Sequence, residues 1–278
     1  MAQWPAVEFT RVDFADREAM ESRIRAFGPT ALVHCAATGM EFPHTRWFEL
    51  LRFNVDLTVN LCESVANIPG CHFVFVGTGL AYRPETRPLT ERDALDTLHP
   101  YGASKAAADL LLRSAAAEFE VPLTVLRPFS FTGLGDDRTR LFSSLLRAAA
   151  EGRPMLLSPC RQVRDHCSAR DIAGGIVRAL ECGHRHVHEA GIYNLGSGST
   201  TPLRAVIEQV VTELNLEVDL QFGARPIGRF DPDFLVADIT KAARELDWRP
   251  RHNLVHAVWQ LACESFPSLH VREPTETA

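Results

Sequence analysis

The chain has 278 residues, of which 46% are hydrophobic and 23% charged, and its formal net charge is −6. This composition predicts a globular protein with a large core, and the negative charge argues against nucleic acid or an anionic membrane as partner. No apolar run approaches the ~20 residues that cross a bilayer, and the first residues lack the pattern of a signal peptide, so we expect a cytoplasmic protein.

Short apolar runs alternate with longer stretches rich in Ala and Leu. The runs 31–37, 72–78 and 123–129 are typical of buried parallel strands, and the stretches 45–67 and 101–119 have helical spacing. This alternation predicts a doubly wound parallel sheet, which binds its ligands at the carboxyl ends of the strands.

After about residue 135 the alternation of short apolar runs and Ala/Leu-rich stretches gives way to a different texture, in which we expect substrate-side elements. This part of the chain predicts a helix over 171–180, then a strand, turn and helix in "GIYNLGSGSTTPLRAVIEQVVTEL", and a short capped helix in "VADITKAARELDWRP". We therefore expect a core over residues 1–135, to which segments near 160–200 return, and a mainly substrate-binding region over residues 136–278.

Cysteine and histidine spacing does not predict a metal site. The seven cysteines are odd in number and have no CxxC spacing, which is typical of free thiols in a reducing compartment. His184, His186 and His188 alternate in a polar segment, where a solvated loop is the more common interpretation. We assign no metal ligands.

Tyr101 and Lys105 lie four residues apart at the start of a predicted helix, so they share one face. An ammonium beside a phenol lowers the phenol pKa from about 10 and lets the tyrosine exchange protons with a substrate. An isolated YxxxK pair is more often a partly buried Tyr and a solvated Lys. However, Thr78 ends a predicted strand and supplies a second hydroxyl, and this order in a βα chain favours catalysis.

With these residues in order, the sequence resembles the extended short-chain dehydrogenases/reductases, in particular the NAD-dependent epimerase/dehydratase branch that acts on nucleotide sugars. The resemblance runs through "VDFAD", "LVHCAA", "FNVDLTVNLCE", "VFVGTGLAY", "HPYGASK", "LTVLRPFSFTG", "VRDHCSARD", "IYNLGSG" and "ADITKAARELDWRP". It implies a Rossmann-like fold, NAD or NADP as cofactor, a nucleotide-sugar substrate, and hydride transfer at a sugar carbon.

The resemblance also implies a role for each matching residue. Tyr101 is implied as the acid/base, Lys105 as the residue that holds the nicotinamide ribose and lowers the tyrosine pKa, and Thr78 as the residue that positions the substrate oxygen. Further cofactor contacts are implied for Asp13, Phe14, Cys35, Ala36, Ala37 and Pro128. Substrate contacts are implied for Thr38, Gly79, Ser130, Arg164 and Arg229.

Some of these roles have alternatives. Cys35 is most simply a small buried apolar residue. Arg164 is expected to bind the substrate diphosphate but could pair internally with Asp165 or Asp171, and Arg229 could be a solvated loop charge.

The GxxGxxG turn that the family uses to bind pyrophosphate does not occur in this sequence, whose first glycine is Gly28. We therefore expect an N-terminally truncated Rossmann-like sheet with a smaller C-terminal substrate-binding region. Three explanations stay open: a truncated NAD(P)-dependent enzyme, a rearranged sheet that performs non-redox chemistry with Tyr101 and Thr78, or a non-catalytic protein that binds sugar nucleotides.

The predicted function is that of a nucleotide-sugar epimerase or 4-ketoreductase. A dehydratase needs a carboxylate beside the threonine, yet Gly79 and Leu80 follow Thr78. By analogy with the family, the stretches 45–67 and 101–119 are the expected interface of a homodimer.

Overall fold

A four-stranded parallel sheet forms the centre of the computed structural model, which describes residues 7–39, 46–183 and 191–274. The strands lie in the order β1-β2-β3-β8, and every neighbouring pair is parallel. They are β1 (Ala31–His34), β2 (His72–Val76), β3 (Leu123–Pro128) and β8 (Gly191–Leu195). The predicted strands are therefore present, each ending slightly earlier than the apolar run that predicted it.

Helices cover both faces of this sheet. Because side chains alternate along a strand, Phe73 and Phe75 face one layer and Val74 faces the other. The first layer consists of α1 (Arg17–Phe27), α3 (Leu57–Ala66) and α4 (Pro100–Glu118), and the second contains α6 (Ala169–Cys182) and α8 (Thr240–Glu245). The sheet is thus doubly wound, as the sequence predicts.

The predicted helix over 45–67 has an irregular centre. It begins with the short α2 (Trp47–Glu49), continues as a π-helical segment over Leu50–Asp56, and ends as α3. Such π-helical turns are frequent at functional sites because the extra residue redirects a side chain. Here the segment buries Asn54.

The C-terminal part has its own apolar core, built by α5 (Leu141–Ala150), α7 (Leu203–Glu213) and α9 (Leu254–Ser265). Around it lie three parallel pairs of short strands, β4 with β7, β5 with β9, and β6 with β10. These strands are β4 (Ser130–Thr132), β5 (Met155–Leu157), β6 (Val163–Arg164), β7 (His166–Ser168), β9 (Leu220–Phe222) and β10 (Phe234–Leu235). From the same part of the chain, α6 and β8 return to the central sheet.

None of the helices that the structure describes is both long enough and apolar enough to span a lipid bilayer.

Candidate active site

Thr78 lies just beyond the end of β2, where a short 3₁₀ turn over Gly79–Ala81 begins. Its Oγ1 accepts a hydrogen bond of 3.2 Å from the Leu80 N–H, so the turn fixes the hydroxyl. A Cβ at Gly79 would lie 2.8 Å from the Phe129 ring, which explains why glycine is needed there. The Thr78 hydroxyl is therefore held at the carboxyl edge of the sheet.

Tyr101 is the second residue of α4, and this helix begins against the turn that follows Thr78. A Cβ at Gly102 would lie only 2.2 Å from the Leu80 carbonyl oxygen, so the two backbones are in direct contact. Pro100 occupies the first helical turn, and the His99 side chain accepts from the Gly102 N–H. The fold thus brings Thr78 and Tyr101 onto adjoining elements.

Lys105 is 1% exposed, and its Nζ lies 4.2 Å from the centre of the Phe75 ring. Among the described residues, this Nζ has no hydrogen-bond partner. Burial lowers the Lys105 pKa to about 8, although Cys35 and Asp109 act in the opposite direction. A buried amine without a partner is costly, so this position fits a group that binds a ligand.

Tyr101 is buried, and burial raises its pKa to about 12, while Arg140 lowers it. This differs from the expectation that Lys105 shifts the Tyr101 pKa downward. The reason is that desolvation outweighs the nearby charge, and the Lys105 ammonium lies over Phe75. The Tyr101 phenol is therefore protonated at neutral pH in the absence of ligand.

The lowered Lys105 pKa predicts a pH-dependent stability. Between about pH 8 and 10.5, the unfolded chain binds this proton and the folded chain does not, so the free energy of unfolding rises with pH. We expect the free energy of unfolding of the wild-type protein, relative to that of Lys105→Met, to rise by about 3 kcal/mol from pH 8 to pH 10.5. The measurement is urea unfolding at several pH values. A pH-independent difference would contradict the buried, charged lysine.

The loop after β1 carries Cys35, Ala36, Ala37 and Thr38 and is tied to α4 through Asn54. The Asn54 side chain accepts from the Thr38 N–H and donates to the Thr38 carbonyl, both at 2.9 Å. It also donates to Ser104 Oγ at 2.8 Å, and Ser104 in turn donates to the Tyr101 carbonyl. Cys35 is exposed and interacts electrostatically with Lys105, so the interpretation of Cys35 as a buried apolar residue is wrong. The structure therefore brings this predicted cofactor loop to α4, which carries Tyr101 and Lys105.

A cleft of about 740 Å³ opens next to Leu80 and His99, the neighbours of Thr78 and Tyr101. Three residues predicted to bind substrate line it, namely Ser130, Arg164 and Arg229. Its other polar lining residues include Gln162, His166, Arg225 and Asp231.

Arg164 is 8% exposed and forms an ion pair with Asp231. It also donates to the Pro232 carbonyl at 3.2 Å, and Asp231 accepts a second bond of 2.9 Å from Gln162. Burial lowers the Arg164 pKa, while Asp231 raises it. A cation with one carboxylate partner at the wall of a cleft can also bind a ligand phosphate.

Both alternative partners considered for Arg164 are wrong. Asp165 accepts from the Ser197, Gly198 and Ala237 backbone N–H groups. Asp171 accepts from the backbone N–H groups of residues 251 and 252. These hydrogen bonds satisfy the carboxylates of Asp165 and Asp171. The Arg164 guanidinium instead forms its ion pair with Asp231 at the cleft.

Sequence reasoning missed most of the residues that line the cleft, among them Arg225, Asp231, His99 and Gln162. Arg225 and Asp231 lie in the same segment as Arg229, and their charges were the available signal. His99 directly precedes the catalytic helix, where its ring lies 6.4 Å from that of Tyr101, and burial lowers its pKa so that it is neutral at neutral pH. Gln162 gave no signal, because nothing in its local sequence shows that it faces a cleft.

Arg229 lines the cleft and lies over the Phe230 ring at 5.2 Å. Other predicted site residues lie elsewhere or are buried. Asp13 and Phe14 precede α1, where Asp13 accepts from the Ala15 N–H and Phe14 is exposed, and neither lines the cleft. Pro128 is buried at the end of β3. The roles of these residues stay predictions.

The three alternating histidines at 184, 186 and 188 lie outside the described residues. Within the described ranges, no group of three His, Cys, Asp or Glu side chains is arranged to hold a metal ion.

Comparison with known proteins agrees with this architecture. The model of the NAD-dependent epimerase/dehydratase family matches residues 2–196. A UDP-glucose 4-epimerase from Corynebacterium glutamicum is 28% identical over 256 residues, covering 84% of this chain and 75% of that protein. One from Bacillus subtilis is also 28% identical, covering 88% and 78%.

Solved structures share the fold. UDP-glucose 4-epimerase from Brucella ovis, in complex with NAD, superimposes with a TM-score of 0.82 at 23% identity, covering 95% of this chain and 86% of that one. UDP-glucuronic acid 4-epimerase from Bacillus cereus gives a TM-score of 0.81 at 21% identity, covering 91% and 79%.

A parallel sheet with helices on both faces defines an α/β protein of the doubly wound, Rossmann-like class. The chain belongs to the NAD-dependent epimerase/dehydratase family. This confirms the resemblance and the α/β Rossmann-like class predicted from the sequence.

Proposed function

We propose that the protein is an NAD-dependent epimerase of nucleotide sugars, with UDP-hexoses as the substrate class. The observation that supports this most directly is the buried Lys105 amine, which has no partner among the described residues and follows Tyr101 by one helical turn. The neighbouring cleft holds Arg164, and the curated relatives named above are UDP-glucose 4-epimerases.

The residues fit the two ends of NAD unequally. At the nicotinamide end, the unpartnered Lys105 Nζ is available for ribose hydroxyls, and Tyr101, Cys35 and Pro128 are the other predicted contacts. At the pyrophosphate end, the sequence supplies no GxxGxxG turn, and the predicted adenine contacts Asp13 and Phe14 lie before α1. When bound, NAD supplies the hydride chemistry at the sugar carbon.

The chain's own residues move the proton and hold the sugar. Tyr101 exchanges a proton with the reacting sugar oxygen, and Thr78 holds the same oxygen by a hydrogen bond. Because burial holds the phenol protonated, Tyr101 is poised to donate a proton in the absence of ligand, and the Arg140 charge favours the phenolate that forms when it does. Arg164 binds the diphosphate, where its planar guanidinium can form two parallel bonds.

The proposed function is tested with UDP-glucose and NAD. We expect conversion to the 4-epimer without net change in NADH, and micromolar binding of NAD in calorimetry, about −8 kcal/mol. Stoichiometric formation of NADH, with oxidation of the sugar to the 4-ketose, would instead support the ketoreductase, which catalyses the same step in the opposite direction. If a cooperatively folded protein bound no dinucleotide, hydride transfer would be excluded and the non-redox alternative would replace it.

We further propose that the protein is a cytoplasmic homodimer. Exposed apolar side chains lie on the two predicted interface helices, namely Phe48 and Leu51 on the first and Leu110 and Leu111 on α4.

The dimer is tested by sedimentation. Leu51→Glu and Leu111→Glu together are expected to shift the protein to monomer, because each places a charge in an apolar contact. Val177→Glu, at an equally exposed position on α6, is the matched control and is expected to leave the dimer intact. A wild-type protein that sediments as a monomer would contradict the proposal.

A further inference from the structure

The catalytic helix carries a third buried polar residue in line with the first two. Tyr101, Lys105 and Asp109 follow one another at intervals of four, so they lie along one face of α4. Asp109 is 2% exposed, and it is the residue of this face that is bound most tightly to the sheet. One face of α4 therefore runs from the Tyr101 hydroxyl to the buried ion pair of Asp109.

Asp109 binds two arginines with its two oxygens. Oδ1 accepts from Arg113 Nε at 2.7 Å, one helical turn away. Oδ2 accepts from Arg127 at 2.9 Å from Nε and 2.7 Å from Nη2. Arg127 comes from β3 and is as deeply buried as Asp109, whereas Arg113 is partly exposed. The β3 arginine is thus the link from α4 to the sheet.

The free nitrogen of the same guanidinium reaches the segment that follows Thr78. Arg127 Nη1 donates to Tyr82 Oη at 2.7 Å, and the guanidinium lies 4.9 Å from the centre of the Tyr82 ring. Tyr82 Oη donates onward to Asn194 Oδ1 at 2.7 Å, and Asn194 Nδ2 donates to the Leu89 carbonyl. Burial raises the Tyr82 pKa to about 12, so this hydroxyl keeps its proton. Tyr82 therefore accepts from Arg127 and donates to Asn194.

One side chain therefore holds both catalytic elements. Tyr82 lies four residues after Thr78, and Asp109 lies eight residues after Tyr101. Between these two residues, the first turn of α4 contacts the Leu80 carbonyl at Gly102. We propose that Arg127 is a positioning residue that sets the separation of the Thr78 and Tyr101 hydroxyls around the substrate oxygen. The proposal rests on the proposed function, because only proton exchange at that oxygen makes the separation matter for rate.

Arginine is needed because of its shape as well as its charge. A guanidinium presents a fork to Asp109 and a separate donor to Tyr82, whereas an ammonium is a point charge on a flexible stem. Arg127→Lys keeps the charge beside Asp109 but cannot hold both partners in one plane. A displacement of about 1 Å at the reacting groups can cost on the order of a hundredfold in rate.

Kinetics of Arg127→Lys tests the proposal. We expect kcat to fall by about a hundredfold, with KM and the affinity for UDP nearly unchanged, because the cleft is untouched. The matched control is Arg113→Lys, which alters the same carboxylate but does not reach Tyr82, and which is expected to keep wild-type kcat. If kcat were equal in the two variants, the positioning role would be disproved.

Tyrosine NMR gives a readout that does not depend on turnover. The chain has three tyrosines, Tyr82, Tyr101 and Tyr193, so ring-labelled tyrosine gives three signals that single Tyr→Phe variants assign. In Arg127→Lys, we expect the Tyr82 and Tyr101 signals to shift and the Tyr193 signal to stay. A shift of Tyr82 alone would overturn the proposal by showing that the network is local.

Two further outcomes are distinguishable. If the wild-type protein does not turn over UDP-sugars, the proposed function fails, and the Tyr101 signal still decides whether Arg127 positions the helix. If Arg127→Lys does not fold, the double variant Arg127→Met with Asp109→Leu leaves no unpaired charge between the two residues and takes its place with the same measurements.

Discussion

Replacing Tyr101 with Phe is expected to lower kcat by about 10²- to 10⁴-fold, the usual contribution of a positioned acid/base group. This corresponds to roughly 3 to 5 kcal/mol of transition-state stabilisation. The fold is expected to stay intact, because the Tyr101 hydroxyl makes no hydrogen bond with any residue that the structure describes. No buried partner is left unsatisfied when it is removed.

The measurement is steady-state epimerisation together with thermal unfolding and NAD titration. Tyr193→Phe is the matched control, since Tyr193 lies on β8 with its ring near Lys241, away from α4. Survival of wild-type activity in Tyr101→Phe would show that another group moves the proton. A parallel loss of NAD binding would show that the tyrosine acts in binding rather than in chemistry.

Replacing Arg164 with Ala is expected to weaken UDP binding by about 10- to 100-fold, because a charge-assisted bond to phosphate contributes roughly 1.5 to 3 kcal/mol. The melting temperature is expected to change little. Asp231 is about one-third exposed (32%) and keeps its bond from Gln162, so losing the ion pair does not strand a buried charge.

Calorimetry with UDP and thermal unfolding separate the two roles of this arginine. Arg204→Ala on α7 is the control, because its ion pair with Glu208 is exposed and it does not line the cleft. A large fall in melting temperature with unchanged UDP affinity would mean that Arg164 serves the internal pair with Asp231.

A bound diphosphate would compete with Asp231 for the Arg164 guanidinium. Arg164 already holds this carboxylate, so a diphosphate must share the guanidinium with it or displace it. Gln162 can keep Asp231 in place during the exchange, because its amide donates to the other carboxylate oxygen. Arg225 and Arg229 line the same cleft and add positive charge. The segment 225–231, which carries Arg225, Arg229 and Asp231, is therefore the part of the chain in which we expect the largest changes in a ligand complex.

The prediction that Tyr101 and Lys105 lie on one helix matches α4, because its evidence was local. A spacing of four residues fixes the common face of Tyr101 and Lys105 whatever surrounds the helix. The prediction that Lys105 lowers the Tyr101 pKa did not match the structure. Burial raises this pKa more than the charge of Arg140 lowers it, and the degree of burial depends on residues distant in the sequence.

The sequence by itself determined the strands β1, β2, β3 and β8, the helices α3, α4 and α6, and the placement of Thr78, Tyr101 and Lys105. These follow from hydrophobic period, helix caps and turn residues, which act over a few positions. Only the tertiary structure decided the partners of buried charges. Arg164 meets Asp231 across 67 residues, and Tyr82 meets Asn194 across 112. Such pairs form because a buried charge or hydroxyl must find a partner in space, and no local pattern specifies which one the fold brings near.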